Sequence, residues 1–173
     1  MGALKKEKYI NIEEFEKFRE KNNIRAELIF GKIYMMASPT ARHQDIVGNI
    51  FFQLRANKSD KCIPRIAPFD VRLSIDNQIN IVQPDVMLFC EDKLCAVFEI
   101  LSPSTAQKDM GIKKYIYEKA GIKEYFLISD EYKTIEKFKL KNKKYEFAKV
   151  YGENEILKVD CMSLKISTNE IFE

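Results

Sequence analysis

The chain has 173 residues, 46% of them apolar and 32% charged, with a formal net charge of +3. That size and mix fit one globular domain, residues 1–173, with a real core and no repeat or low-complexity tract. The charge is too mild to mark a nucleic-acid binder by itself, and no apolar run approaches the roughly 20 residues of a membrane span.

The first residues, MGALKKEKY, lack the apolar segment of a secretory signal, so the cytoplasm is the expected location. Helix 1 is expected over Ile12 to Lys21. Asn11 is its cap, Glu14 sits at the capping-box position, and Ile12, Phe15 and Phe18 recur at helical spacing. ELIFGKIYMMAS reads as a β-hairpin turning at Gly31 and Lys32. Ser38 and Pro39 suit the cap and first residue of a second helix reaching about Asn57, with Ile46, Val47, Ile50, Phe51 and Leu54 as its buried stripe.

A strand is expected at Phe69 to Ile75, where apolar and polar residues alternate, followed by a turn at Asp76-Asn77. Two apolar runs, VMLF and LCAVFEIL, are joined by the turn-like CEDK and predict an antiparallel pair. Ser102-Pro103-Ser104-Thr105 breaks the chain. A helix from about Ala106 to Ala120 then ends at Gly121 as a left-handed cap. EYFLIS is expected to lie parallel to the Glu99 strand, because a helix makes the crossover. TIEKFKL and KYEFAKV form a last hairpin around Lys141 to Lys143. These elements predict an α/β fold, a central mixed β-sheet flanked by helices.

The four cysteines, Cys62, Cys90, Cys95 and Cys161, show no CxxC spacing, and there is one histidine. A Cys/His zinc site is not expected from that pattern, and free thiols are. Cys90 and Cys95 flank a turn and could face each other.

Two carboxylates stand out. Asp85 follows Pro84 at a strand start, and Glu99 lies among Val97, Phe98, Ile100 and Leu101 near the end of the next strand. An ionised carboxylate in apolar surroundings is costly unless it is paired or binds a metal. The hairpin brings the two acids to one sheet edge, where an all-oxygen pair suits a hard cation such as Mg²⁺. A metal so held polarises a phosphodiester and lowers the pKa of bound water.

These motifs resemble the PD-(D/E)XK, restriction-endonuclease-like superfamily, and within it the Uma family of bacterial endonucleases. The resemblance rests on an ordered set: AELIFGKIYMMASP, His43-Gln44, PFDVRLS, QPDVMLF, FEILSPST, Asp109-x-x-x-Lys113-x-x-x-Tyr117 and AGIKEYFLIS. It implies a nuclease that hydrolyses phosphodiester bonds of nucleic acid, DNA above all, with Mg²⁺ or Mn²⁺ as cofactor and a homodimer as working unit. Asp85 and Glu99 would be the metal-binding acids, with the carbonyl of Ile100 as a third ligand. Glu27 matches a further acidic position that binds metal or orients a water, or else it pairs with Arg25 or Lys32. The superfamily lysine two residues after the second acid is replaced by Leu101. Lys113 is the expected substitute, sharing a helix face with Asp109 and Tyr117, while Lys114 points about 100° away. His43, Ser102 and Tyr117 are candidate substrate contacts. Ser104 and Thr105 could join them or cap the helix.

Residues 132–149 hold seven lysines against two glutamates. That basic hairpin face suits phosphates, or a lysine-guarded sheet edge. A non-catalytic nucleic-acid or protein-binding module that keeps the nuclease fold is the alternative function, favoured by Leu101.

Overall fold

Asn11 and Glu14 open the first helix, each side chain accepting from the other's backbone N–H at 3.1 and 2.9 Å. That reciprocal pair satisfies two of the orphan donors at a helix start. The computed structural model describes residues 9–57, 61–103 and 105–173. They cluster into two compact units, one from the chain up to Ser38 plus Asp70–Gln83, the other from Pro39–Phe69 plus Pro84–Glu173.

The smaller unit holds α1 (Ile12–Asn22) and a four-stranded sheet of β1 (Ala26–Ile29), β2 (Lys32–Met35), β4 (Val71–Ile75) and β5 (Gln78–Val82), in the order β2-β1-β5-β4. Ile29 pairs with Lys32, so the hairpin turns at Phe30-Gly31, one residue earlier than expected. Both turn residues have positive φ, 46° and 72°, and Gly31 adopts this without a steric penalty. Phe15, Ala26, Leu28 and Ile81 form the core of this unit.

The larger unit is built on a six-stranded mixed sheet in the order β10-β9-β8-β7-β6-β3. Its strands are β3 (Cys62–Ile66), β6 (Val86–Cys90), β7 (Lys93–Ile100), β8 (Glu124–Ser129), β9 (Thr134–Lys141) and β10 (Lys144–Tyr151). Only the β7–β8 pair is parallel, as the helical crossover requires. Helix α2 (Ala41–Ala56) packs Ile46, Val47, Ile50 and Leu54 into the main core with Val86, Leu88, Ala96, Phe98 and Ile100. Thr40 caps this helix, accepting from the His43 N–H at 3.1 Å, so the helix starts two residues later than Ser38-Pro39 suggested. The crossover runs through α3 (Ala106–Lys108), a π-helical turn (Asp109–Lys113) and α4 (Lys114–Lys119), ending at Gly121 with φ of 79°. Its Tyr117 meets Tyr125 of β8 edge to face, with ring centroids 5.2 Å apart. A two-stranded sheet, β11 (Ile156–Val159) with β12 (Leu164–Ser167), and α5 (Asn169–Phe172) complete the unit. Among the described residues no helix is long and apolar enough to cross a membrane.

The cysteines correct the expectation of free thiols. Cys62 bonds to Cys90 and Cys95 to Cys161, and no free cysteine remains. Cys62 stands directly opposite Cys90 across the β3–β6 ladder. Cys90 does not face Cys95, since its partner on β7 is Lys93. The register between β6 and β7 shifts between Leu88 and Phe89, which leaves Cys95 as the extra residue of a bulge. A bulge re-aims a side chain, and here it lets Cys95 reach Cys161 in the 3₁₀ turn Asp160–Met162.

The basic hairpin is largely neutralised at home. Lys133 pairs with Asp130, Lys139 with Asp160, Lys141 with Glu146, Lys144 with Glu118 and Lys149 with Glu155. Lys137 is buried on Glu124 at 2.6 Å and Asp160 at 2.7 Å. Each local carboxylate weakens the field that a phosphate would feel.

Candidate active site

Strand alternation decides where Glu99 points. Phe98 and Ile100 face the core beneath α2, so Glu99 faces the opposite side, toward the crossover helices. There Lys113 Nζ lies 2.5 Å from Glu99 Oε1, and the Tyr117 hydroxyl donates to the same oxygen at 2.7 Å. Glu99 and Lys113 are each 2% exposed and Tyr117 is fully buried. The buried glutamate therefore has a cation and a hydrogen-bond donor from one helical segment.

Asp85 sits beside it at the start of β6. Its Oδ2 accepts from the Ile100 N–H at 2.9 Å, and its own N–H reaches Glu99 Oε2 at 3.4 Å. Each acid is thus tied to the backbone that carries the other. The Asp85 carbonyl accepts from the Ala67 N–H at 3.1 Å, which holds the strand start against the chain beyond β3. His43, in the first turn of α2, brings Nε2 within 3.3 Å of Asp85 Oδ2.

The crossover segment owes its aim to the π-helical turn. Lys113 closes that turn, with Nζ 3.4 Å from Asp109 Oδ1, and π-helical turns, rare in general, are frequently found at functional sites. Tyr125 of β8 donates to the Asp109 carbonyl at 2.9 Å. Burial, followed by the nearby charge of Glu99, pushes the Tyr125 phenol well above its ordinary range, so it stays a donor. Burial also pushes the Asp109 carboxyl up, against the opposing pull of Lys113. Lys114, one residue on, points elsewhere, with its Nζ 3.4 Å from the centre of the Phe138 ring.

The remaining expected residues lie as follows. Ser102 and Thr105 bring their hydroxyls within 3.0 Å of each other, and the Ser102 carbonyl accepts from the N–H groups of Thr105 and Ala106. Thr105 makes no side-chain capping bond, and Ser104 lies outside the described residues. Glu27 is fully buried in β1 of the smaller unit, where it accepts from the Gln83 N–H at 2.9 Å. Arg25, weighed as its partner, bonds instead to the Gln83 side chain. Tyr125 was not foreseen. Its only sequence signal is that it alternates with the core-facing Phe126.

A family model described as "putative restriction endonuclease" matches residues 12–169. The chain belongs to the Uma2 family. Over 128 residues the chain is 28% identical to "uncharacterized protein slr1290" of Synechocystis sp., covering 68% of this chain and 67% of that one. The fold matches a crystal structure described as "a putative nuclease belonging to DUF820" from Anabaena variabilis. That match has a TM-score of 0.74 at 19% identity and covers 94% of this chain and 97% of the other. At that identity the likeness concerns the fold, a central mixed sheet flanked by helices of the nuclease type. The Uma2 assignment adds an enzyme family at the level of nuclease-type hydrolases.

Proposed function

We propose that this protein is an endonuclease that hydrolyses phosphodiester bonds in DNA with the help of Mg²⁺ or Mn²⁺. The observation that carries the reading is the convergence on Glu99. Asp85 from one strand start and Lys113 from the crossover helix both reach it, and Lys113 brings the cation that Leu101 does not. The donor set fits a hard divalent ion. Two carboxylates, with water and substrate phosphate, are a customary Mg²⁺ set, and Asp85 and Glu99 stand within hydrogen-bond range of each other's strand. The Ile100 carbonyl is the third protein ligand in this reading. The metal would polarise the phosphodiester and lower the pKa of a bound water.

The chain's own residues do the rest. Lys113 pairs with Glu99 in an apolar setting and places a positive charge where negative charge grows on the phosphate. Tyr117 fixes the Glu99 oxygen that Lys113 holds. The Ile100 N–H and His43 orient the Asp85 carboxylate. His43 and Ser102, both half-buried, are the side chains we assign to substrate contact, whereas Tyr117, expected beside them, is buried against Glu99 and acts through it. A concerted double-strand cut needs two such sites, so a homodimer is the working unit we assign.

The test is cleavage of supercoiled and single-stranded DNA in Mg²⁺ or Mn²⁺, with wild type and Glu99→Ala purified side by side. Nicking that vanishes in the variant and with chelator supports the reading. Equal activity in both removes it. No cutting by either, with DNA still retained in a binding assay, favours the non-catalytic module.

A further inference from the structure

The four cysteines reach one place from four separate elements: β3, β6, the bulge of β7 and the 3₁₀ turn before β12. The sulfurs of Cys62 and of Cys90 each lie 3.8 Å from the Cys161 carbonyl oxygen, and the Cys161 sulfur is bonded to that of Cys95. Both disulfides therefore meet at Cys161, one through its sulfur and the other against its carbonyl. We propose that, once both disulfides are reduced, this cluster of four cysteines is a tetrathiolate site for a soft divalent cation, Zn²⁺ foremost.

Three observations support it. First, the donor set is sulfur alone, which selects Zn²⁺ over the hard ions that suit the oxygens of Asp85 and Glu99. Second, the bulge sends Cys95 toward Cys161 at the cost of a ladder pair. Third, the turn carrying Cys161 is held without help from any sulfur. Glu124 accepts from the N–H groups of Asp160 and Cys161 at 3.0 and 2.8 Å, and Lys137 grips Asp160 Oδ2 at 2.7 Å. Breaking the S–S bonds therefore leaves all four cysteines tethered by backbone and ion pairs. In a tetrahedral site with Zn–S bonds of about 2.3 Å, neighbouring sulfurs stand roughly 3.8 Å apart. Side-chain rotation supplies such a change from bonded pairs.

With the sulfurs bonded in pairs, no three His, Cys, Asp or Glu side chains among the described residues are arranged to hold a metal. Reduction creates the donors. Two equivalents of a dithiol deliver four electrons and four protons, both S–S bonds break, four thiols form, and the reductant leaves as two disulfides. Zn²⁺ then displaces the thiol protons and binds the thiolates. An oxidant such as peroxide reverses the sequence, taking the four electrons, reforming the disulfides and ejecting the metal. The site lies at the turn end of the β6–β7 hairpin, whose other end carries Asp85 and Glu99, so it clamps the hairpin away from the acids.

The experiment uses the full chain, reduced with a dithiol under nitrogen and titrated with Co²⁺ and then Zn²⁺. We expect one Co²⁺ per chain, with thiolate-to-cobalt charge transfer in the near ultraviolet and the visible bands of a tetrahedral ion. Zn²⁺ abolishes these bands, and unreduced protein never shows them. Peroxide releases the metal as four thiols disappear. An Asp85→Asn, Glu99→Gln, Lys113→Met variant, which removes the acids without stranding the buried lysine charge, keeps the spectrum and so separates this site from the acids. If that variant loses it, the metal sits on the acids and the proposal falls. It falls equally if reduced, folded wild type with four titratable thiols shows no charge transfer, if the disulfides resist the dithiol in the native chain, or if reduction unfolds the chain. Cys161→Ser loses the four-sulfur spectrum. Cys90→Ser repeats the test should that variant not fold.

Discussion

Lys113 Nζ meets Glu99 Oε1 at 2.5 Å with both side chains 3% exposed, and this pair joins the crossover segment to strand β7. Removing one member of a buried pair leaves the other charge in a low dielectric. Lys113→Ala should therefore cost roughly 3–5 kcal/mol. Lys113→Met combined with Glu99→Gln should recover much of the loss, since both charges are then gone. Urea unfolding midpoints of the two variants and the wild type check this.

Tyr117→Phe keeps the ring packed against Tyr125 and removes one hydrogen bond to the Glu99 carboxylate. A bond to a charged group contributes roughly 1.5–3 kcal/mol, so a loss in that range is expected with no change of fold. In a cleavage assay the turnover should fall while KM holds, because the hydroxyl orients Glu99. Chemical denaturation and steady-state kinetics read the two effects.

Asp160 gives a defined acid response. Burial pushes its carboxyl up, but the hydrogen bonds from Lys137 and Lys139 outweigh this and bring it from 3.8 to about 2. A carboxyl lowered by folding stabilises the fold above its unfolded value. That contribution is lost as pH falls from about 3.8 through about 2. Asp160→Asn should flatten the fall of melting temperature over that window. Thermal melts at a series of pH values test it, and an unchanged slope counts against the assignment.

The two disulfides close loops of different length, 28 and 66 residues apart in sequence. By loop-closure entropy the Cys62–Cys90 bond contributes about 3.6 kcal/mol and the Cys95–Cys161 bond about 4.4 kcal/mol. Under oxidising, metal-free conditions the Cys95→Ser, Cys161→Ser pair should be the less stable of the two double variants. Guanidinium titrations of both establish the order.

Much of the architecture was readable from local signals. The Asn11–Glu14 cap, the Glu91-Asp92 and Asn142-Lys143 turns, the alternation in β4 and the apolar runs of β6 and β7 each lie within a few residues of chain. Asp85 and Glu99 stood out because a carboxylate at a strand start and another amid apolar neighbours both break a simple pattern. The strands that went unread lacked such signals. β3 carries Pro64 and Arg65, and it is the edge strand of its sheet, the place where proline is tolerated. β5 has Asn80 buried at its centre, and β11 and β12 are four residues each.

The sequence by itself determined the main periodicities, most of the caps and turns, the order of the elements it revealed and the positions of the two acids, because those follow from short-range sterics and hydrogen bonding. Only the tertiary structure decided who meets whom. Glu99 receives Lys113 and Tyr117, Cys95 crosses a bulge to find Cys161, and most lysines of the basic hairpin are matched by carboxylates. Glu99 and Tyr117 lie 18 residues apart, and Lys137 and Asp160 lie 23 apart. A partner's identity depends on which face each element buries and on how register and bulges aim its side chains. Both are set when the sheet and helices pack, and no local run of residues carries that information.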